Sequence, residues 1–442
     1  MDLLIAFGIF LAAMVSTLVL GGSMLIPLLI GLAAFLAVGM HRGYRFPVLA
    51  GMAVSGTRDA LIVIKVMSFI GFMTAIWRCC GTITIFVYYG MNVITPPLFL
   101  LIAFLLCAVL SYGIGTSFGV AATVGVIFMT LARSGGVDPV ITAGVIMSGV
   151  YFGDRGSPVS SSANMVAGVT RTDIFENVKR MMLSGILPLA LTLVIYTILS
   201  VNHPMKTLDD AFIAEYEATF TLSLWAFLPA VLMLVLPLFK VKVLHAMALS
   251  TFCGILIGWR IEGFTIPELL KICLMGYHPE GSELVQLLDG GGLISMVQIV
   301  VIVTISCAYS GIFKGTKMLH GIQGQLGMLC EKIGRFPTTL LMSIGLAATF
   351  CNQTISTLMC ASLMEKPYED HSGNTEELAL DMENSVILIA CFIPWSLGWT
   401  VPTSFFGAGV DSMPYACYMY LVPLCWLLTK KKLLRKIIKK ES

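Results

Sequence analysis

Four short polar segments interrupt an otherwise apolar chain, and their side chains are the ones equipped for chemistry. The densest is Tyr151-Phe152-Gly153-Asp154-Arg155-Gly156-Ser157-Pro158-Val159-Ser160-Ser161-Ser162-Ala163-Asn164, where an acid, a base, four serines and an amide directly follow an apolar run. Pro158 cannot continue a helix's hydrogen bonding, so carbonyls near it are freed to act as ligands. Tyr112-Gly113-Ile114-Gly115-Thr116-Ser117-Phe118-Gly119 offers bendable glycines, hydroxyls and free carbonyls, a set suited to a small hard cation. A helix-packing face of small residues is the plainer reading of that segment. For 151–164 the plainer reading is a cytoplasmic loop with helix caps. The third segment, Thr349-Phe350-Cys351-Asn352-Gln353-Thr354-Ile355-Ser356-Thr357, has apolar runs on both sides. The fourth is Asp381-Met382-Glu383-Asn384-Ser385 with Ile393-Pro394-Trp395-Ser396. Glu383 reads equally well as a capping acid at a helix start.

The elements around these breaks belong in a membrane. Of 442 residues, 57% are hydrophobic and 12% charged, and mean hydropathy is +0.91. Soluble domains carry about 25% charged residues, enough to cover a surface that this chain cannot cover. A cytosolic enzyme and a nucleic-acid binder are excluded, and the net charge of +2 steers no ionic partner. The twelve cysteines lie mostly in apolar runs and the six histidines are dispersed, so no metal-ligand spacing appears. An intramembrane protease would need paired acids or a Ser/His constellation, and the chain reads as a non-enzyme.

Spans of about 20 apolar residues are expected at 3–20, 23–40, 59–78, 97–114, 117–134, 138–153, 183–200, 222–239, 243–259, 291–312, 337–363, 384–400 and 413–429. The first reads as a retained helix rather than a cleaved leader. The fold class is all-α polytopic, with about 11–13 transmembrane helices, some of them broken or re-entrant. Basic residues place both termini in the cytoplasm and the acidic 201–221 loop outside. Segment 360–383 reads as a solvated loop, and the basic tail 430–442 as an anchor on anionic lipid. Arg58 and Arg78 can snorkel, whereas Asp59 and Lys65, at the start of a span, are either functional or simply paired with each other. At an offset of roughly 235 residues, Gly81-Thr82 maps on Gly315-Thr316, Gly115-Thr116-Ser117 near Cys351-Asn352-Gln353-Thr354, and Ser157-Pro158 near Ile393-Pro394. The expected organisation is a first helix over 1–22, inverted repeats at 23–200 and 222–429, the 201–221 loop between them, and the tail. Inverted repeats with broken helices are the architecture of secondary transporters.

The breaks resemble those of the NhaC-type Na+/H+ antiporter family, within the broader ion-transporter superfamily. The matching pieces include Gly81-Thr82-Ile83, Gly115-Thr116-Ser117-Phe118-Gly119, Gly153-Asp154-Arg155-Gly156-Ser157-Pro158 and Ile393-Pro394-Trp395. The resemblance implies exchange of Na+ for H+ by alternating access in a prokaryotic cell membrane, with no cofactor beyond the transported ions. It places Asp154, Ser157, Thr116 and Ser117 near one half-site and Glu383, Ser385 and Trp395 near the other. Asn352, Thr354 and Asn384 join them as candidate ligands, with Asp154, Thr116 and Ser157 around the transported Na+. Gly115, Gly153, Arg155, Pro158, Ser161, Asn164 and Asp59 are expected to support the site. The chain departs from the family pattern at Ser161-Ser162 and Asn384, where acids are usual. The rival reading is therefore a Na+- or H+-coupled carrier of a small carboxylate or amino acid. Membrane lipid, the transported solutes and a second copy of the chain are the candidate partners.

Overall fold

Helix is the default for so apolar a chain, because backbone groups in a bilayer must pair within their own segment. The computed structural model describes residues 2–20, 22–23, 25–58, 60–93, 96–205, 221, 223–239, 241–279, 288–316, 318, 323–370 and 374–441. In chain order the helices are α1 (Asp2–Leu20), α2 (Leu25–His41), α3 (Phe46–Thr57), α4 (Ala60–Cys79), α5 (Thr82–Val93), α6 (Phe99–Ile114), α7 (Ser117–Val120), α8 (Val126–Ser134), α9 (Pro139–Gly156), α10 (Ser161–Thr170) and α11 (Ile174–Asn202). Then come α12 (Leu228–Leu238), α13 (Val243–Arg260), α14 (Ile266–Met275), α15 (Gly292–Thr316), α16 (Gln323–Ile333), α17 (Arg335–Phe350), α18 (Gln353–Asp370), α19 (Thr375–Glu383), α20 (Val386–Ile389), α21 (Leu397–Phe405) and α22 (Cys417–Glu441). Pro96–Ile114, Ser117–Ser134, Ile174–Asn202 and Gly292–Thr316 are each long and apolar enough to cross a bilayer, and shorter apolar helices accompany them. The chain is an all-α polytopic membrane protein.

α11 shows how such a helix is solvated. Its buried stripe holds Asn177, Ser184, Gly185, Thr192 and Ser200, while Phe175, Ile186, Val194, Ile198 and Val201 are exposed. In water that arrangement would be inside out; in lipid the apolar face is the solvated one and the polar stripe packs on protein. Asp173 starts the helix by accepting from the Phe175 and Glu176 amides at 2.9 and 3.0 Å. This cap extends the expected 183–200 span upstream to Ile174.

α6 and α9 pack face to face through small residues. A Cβ on Gly153 would lie 2.2 Å from Ser111 C and Tyr112 N, and one on Gly149 would lie 2.6 Å from Cys107 Cβ. The neighbouring backbone cannot yield to such contacts. Gly153→Val is expected to destabilise the protein by about 3 kcal/mol. An unchanged thermal unfolding temperature in detergent would refute the packing argument.

Three expectations change. The 337–363 span divides at Cys351-Asn352 into α17 and α18, and 384–400 divides into α20 and α21. The 360–383 stretch is helical over 360–370 and 375–383 rather than a loop; Glu365, Lys366, Glu369, Asp370 and Glu376 are exposed as expected, whereas Glu377, Asp381 and Glu383 are buried. Arg78 does not snorkel: it is 8% exposed and donates to Thr74 O at 3.0 Å. The physical reason for the second change lies partly in the supposed lipid anchor. Lys430 turns inward from α22 to bind Glu377 at 2.7 Å and Asp381. Arg335 closes on Glu377 at 2.8 Å. Two acids and two bases thus neutralise one another where α17, α19 and α22 meet.

Candidate functional site

The first and second breaks form one unit. α6 ends at Gly115 in the left-handed region (φ +73°), where a Cβ would sit 2.6 Å from the Val159 carbonyl and 2.8 Å from Ser160 N. Only glycine fits that turn without strain. Ser157 Oγ donates to Tyr112 O at 2.6 Å and accepts from Val159 N at 3.1 Å, stitching the end of α9 to the end of α6. Thr116 caps α7 through Gly119 N at 3.3 Å. Asn164, though exposed, donates to Pro158 O and Ser160 O at 2.8 and 2.7 Å and closes the turn around half-buried Pro158.

This scaffold holds the Asp154 carboxylate 3% exposed near the end of α9. Ser162 Oγ lies 2.9 Å from Oδ2 and Gln353 Nε2 donates to the same oxygen at 3.0 Å. Ser160 Oγ reaches Oδ1 at 3.3 Å and the Asp154 carbonyl at 2.5 Å. Gln353 also donates to Ile387 O at 3.0 Å, and its Oε1 lies 3.1 Å from Ser162 Oγ. Every one of these partners is neutral. Among the described residues no base lies within 4.0 Å of this carboxylate. Three oxygen-bearing side chains, Ser160, Ser162 and Gln353, thus converge on a buried acid, and oxygen is the ligand a hard cation takes.

Arg155, next along the helix, projects to different neighbours. Its guanidinium donates to Tyr418 Oη at 3.0 Å, Ser184 Oγ at 2.9 Å, Met181 O at 3.1 Å and Asn384 Oδ1 at 2.6 Å. It therefore clasps the fourth break. There α19 stops, because Ser385 leaves helical geometry (φ −129°, ψ −85°). Ser385 Oγ donates to Asp381 O at 2.7 Å and accepts from Ser343 Oγ at 3.2 Å. Glu383 is 0% exposed, and among the described residues neither of its carboxylate oxygens has a hydrogen-bond partner; Arg155 Nε and Asn384 Nδ2 are likewise unpaired there. Glu383 feels the charges of Arg155 and Asp154. It also sits at a helix C-terminus, not a helix start, so the capping reading does not apply and the macrodipole opposes its charge. A buried polar group left unsatisfied costs about 1–3 kcal/mol. Donors and acceptors without partners among the described residues thus fall on Arg155, next to Asp154 in the chain, on Asn384, which it binds, and on the adjoining Glu383.

Other expected residues lie elsewhere. Ser117 is buried. Asn352 spends its Oδ1 on Ile355 N at 3.3 Å, Thr354 and Ser161 are exposed, and Trp395 donates to Ala348 O at 2.8 Å as a clasp between breaks. Asp59 lies outside the described residues, and Lys65 is exposed. Sequence reasoning passed over Gln353, Ser160 and Ser162 as ligands of Asp154. Their one signal was position: Gln353 lies in the third break, and Ser160 and Ser162 alternate with exposed Ser161 after Pro158.

The two halves use the same turns. Gly115 and Cys351, 236 residues apart, both end a helix in the left-handed region, at φ +73° and +54°. Ser160 and Ser396, also 236 apart, each cap the next helix and donate back six residues, to Asp154 O and Ala390 O. At the position matching Asp154, the second half carries Ala390.

The sequence profile of the Na+/H+ antiporter family matches residues 149–429. The malate-2H+/Na+-lactate antiporter of Bacillus subtilis is 25% identical over 433 residues, 95% of this chain and 91% of that protein. The Na+/H+ antiporter NhaC of Alkalihalophilus pseudofirmus is 24% identical, covering 96% and 94%. The arginine/ornithine antiporter ArcD of Halobacterium salinarum is 26% identical, covering 91% and 90%. With a match across more than half its length that takes in both charged breaks, the chain belongs to the Na+/H+ antiporter family.

Proposed function

We propose that the chain exchanges Na+ for H+ across a prokaryotic inner membrane, with Asp154 binding either ion but not both. The observation that carries this reading is a buried carboxylate whose partners are all neutral, beside a second carboxylate that has none among the described residues. Deprotonated Asp154 supplies the charge for Na+. The Ser162 hydroxyl supplies a neutral oxygen, a turn of the Gln353 amide would replace its N–H with Oε1, and Ser160, whose hydroxyl is spent on the Asp154 carbonyl and the Ser162 and Ala163 amides, holds the acid in place. This set replaces Thr116 and Ser157, whose hydroxyls are spent on Gly119 N and Tyr112 O. A proton on Asp154 removes the charge that holds the cation, so the ions compete. Asp154 and Arg155 come from one half and Gln353 and Asn384 from the other, so rocking the halves makes and breaks the site. The shared cap geometry supports reading 23–200 and 222–429 as repeats, and the distribution of basic residues is the ground for inverting them and for placing both termini in the cytoplasm. Purified protein in vesicles carrying a pH gradient is expected to dissipate it on addition of Na+. No Na+-dependent change in a ΔpH dye would refute the proposal.

A second reading, exchange of a small organic carboxylate, is favoured by one feature. A cavity of about 1000 Å³ is lined by Arg155, Tyr418, Phe152, Met182, Ile186 and Leu189 among others. That volume far exceeds the roughly 30 Å³ share of a water molecule and lies in the range of small-molecule sites. Malate and lactate are in the name of one relative. A Cβ on Gly185 would stand 3.3 Å from Arg155 Nη1 and 3.6 Å from Tyr418 Oη. If a carboxylate docks on that guanidinium, labelled lactate should show counterflow and Gly185→Leu should abolish it. Absence of counterflow in the wild type would remove this reading.

A further inference from the structure

α19 carries Glu383 and leads into Asn384, yet the chain itself holds it weakly. It has nine residues, starts at an exposed Asn374 cap and ends in the Ser385 break. Its position is set by side chains on its other face. Asp381, 0% exposed, accepts from Trp426 Nε1 at 2.7 Å and Tyr368 Oη at 2.5 Å, and it contacts Lys430. Glu377, one turn earlier, is held by Arg335 at 2.8 Å and by Lys430 at 2.7 Å. Thr339 bonds Tyr368 at 2.9 Å, so groups from α17, α18 and α22 all close on these two acids. Lys430 bridges both, and its side chain is only 13% exposed. From Asp381 the connection into the site is short. Its carbonyl takes the Ser385 hydroxyl, Glu383 follows two residues later, and Asn384 receives Arg155.

We infer that Lys430 is a positioning residue for transport: by clamping Glu377 and Asp381 it sets where α19 presents Glu383 and Asn384 to Asp154 and Arg155. The C-terminal helix is thereby part of the transport machinery through one residue, and its remaining positive charges are not. This rests on the Na+/H+ exchange reading. It goes further in assigning a role to a residue more than 20 Cα positions beyond the last break.

The test measures Na+-dependent ΔpH dissipation by full-length protein in vesicles, separating the half-saturating Na+ concentration from the maximal rate. Lys430→Met is expected to raise half-saturation about tenfold or more, since displacing a binding group by an ångström is that costly. Lys430→Arg, which keeps the charge and reach, is expected to restore most of the affinity. The Lys431→Met/Lys432→Met pair removes twice the tail charge from exposed positions and is expected to leave half-saturation within about twofold, in line with exposed charges contributing little. Should Lys430→Met not fold, Lys430→Met/Asp381→Asn removes a balanced pair, and the inference expects weakened Na+ affinity there as well. Wild-type half-saturation in the folded single or balanced double variant would overturn the inference, as would an equal effect from the Lys431/Lys432 pair. A wild-type protein that moves no protons with Na+ would sink the exchange reading itself, and the inference with it.

Discussion

Asp154→Asn is expected to reduce Na+-dependent proton movement at least about 100-fold, the size of effect seen when a group central to binding and proton transfer is removed. The side chain keeps its shape and most of its hydrogen bonds. Ser160 still meets an oxygen, and the Ser162 hydroxyl and the Gln353 amide can turn to accept from the new N–H groups. What disappears is the negative charge on which those groups converge and the proton that it exchanges. Thermal unfolding in detergent should therefore change little while ΔpH dissipation is lost. Asp154→Glu keeps the charge but adds a methylene to a packed site, at a cost of about 1–3 kcal/mol, and should recover part of the activity. Normal exchange by a folded Asp154→Asn protein would end the assignment.

Two acids separated by one residue should respond to neutralisation with opposite signs. Glu383→Gln is expected to stabilise the fold, because it replaces a buried carboxylate that has no hydrogen-bond partner among the described residues, and that lies at the unfavourable end of a helix, with a neutral amide that is easier to bury. The same change should abolish or strongly weaken transport, the trade of stability for function found where a group is retained for its chemistry. Asp381→Asn should instead destabilise by about 3–5 kcal/mol, because it leaves the Lys430 ammonium with one acid in place of two in a buried network. Unfolding temperatures of the purified variants, measured beside their transport, decide the matter. A Glu383→Gln protein that is less stable and fully active would make Glu383 a structural acid.

The breaks were readable because polar residues at membrane depth need a reason, and glycine and proline mark where the backbone turns. Gly115 and the Asp154–Asn164 run stand where the helices end or bend. Which hydroxyls serve Asp154 was not readable. Ser160, Ser161 and Ser162 are equivalent in composition, and only the direction of the turn after Pro158 buries the first and third and exposes the second. Burial of Glu377 and Asp381 was not readable because their neutralising bases are far away in the chain, Arg335 before them and Lys430 after them, while Glu365, Glu369, Asp370 and Glu376 are exposed as their sequence suggests.

By itself, then, the sequence determined the membrane, the helices and the places where they break, since each follows from local hydropathy and backbone chemistry. Tertiary structure alone decided that Gln353 meets Asp154, that Arg155 clasps Asn384 and that Lys430 reaches Asp381. Those contacts join residues 199, 229 and 49 positions apart, and such pairings are fixed by how helices pack and not by anything periodic along the chain.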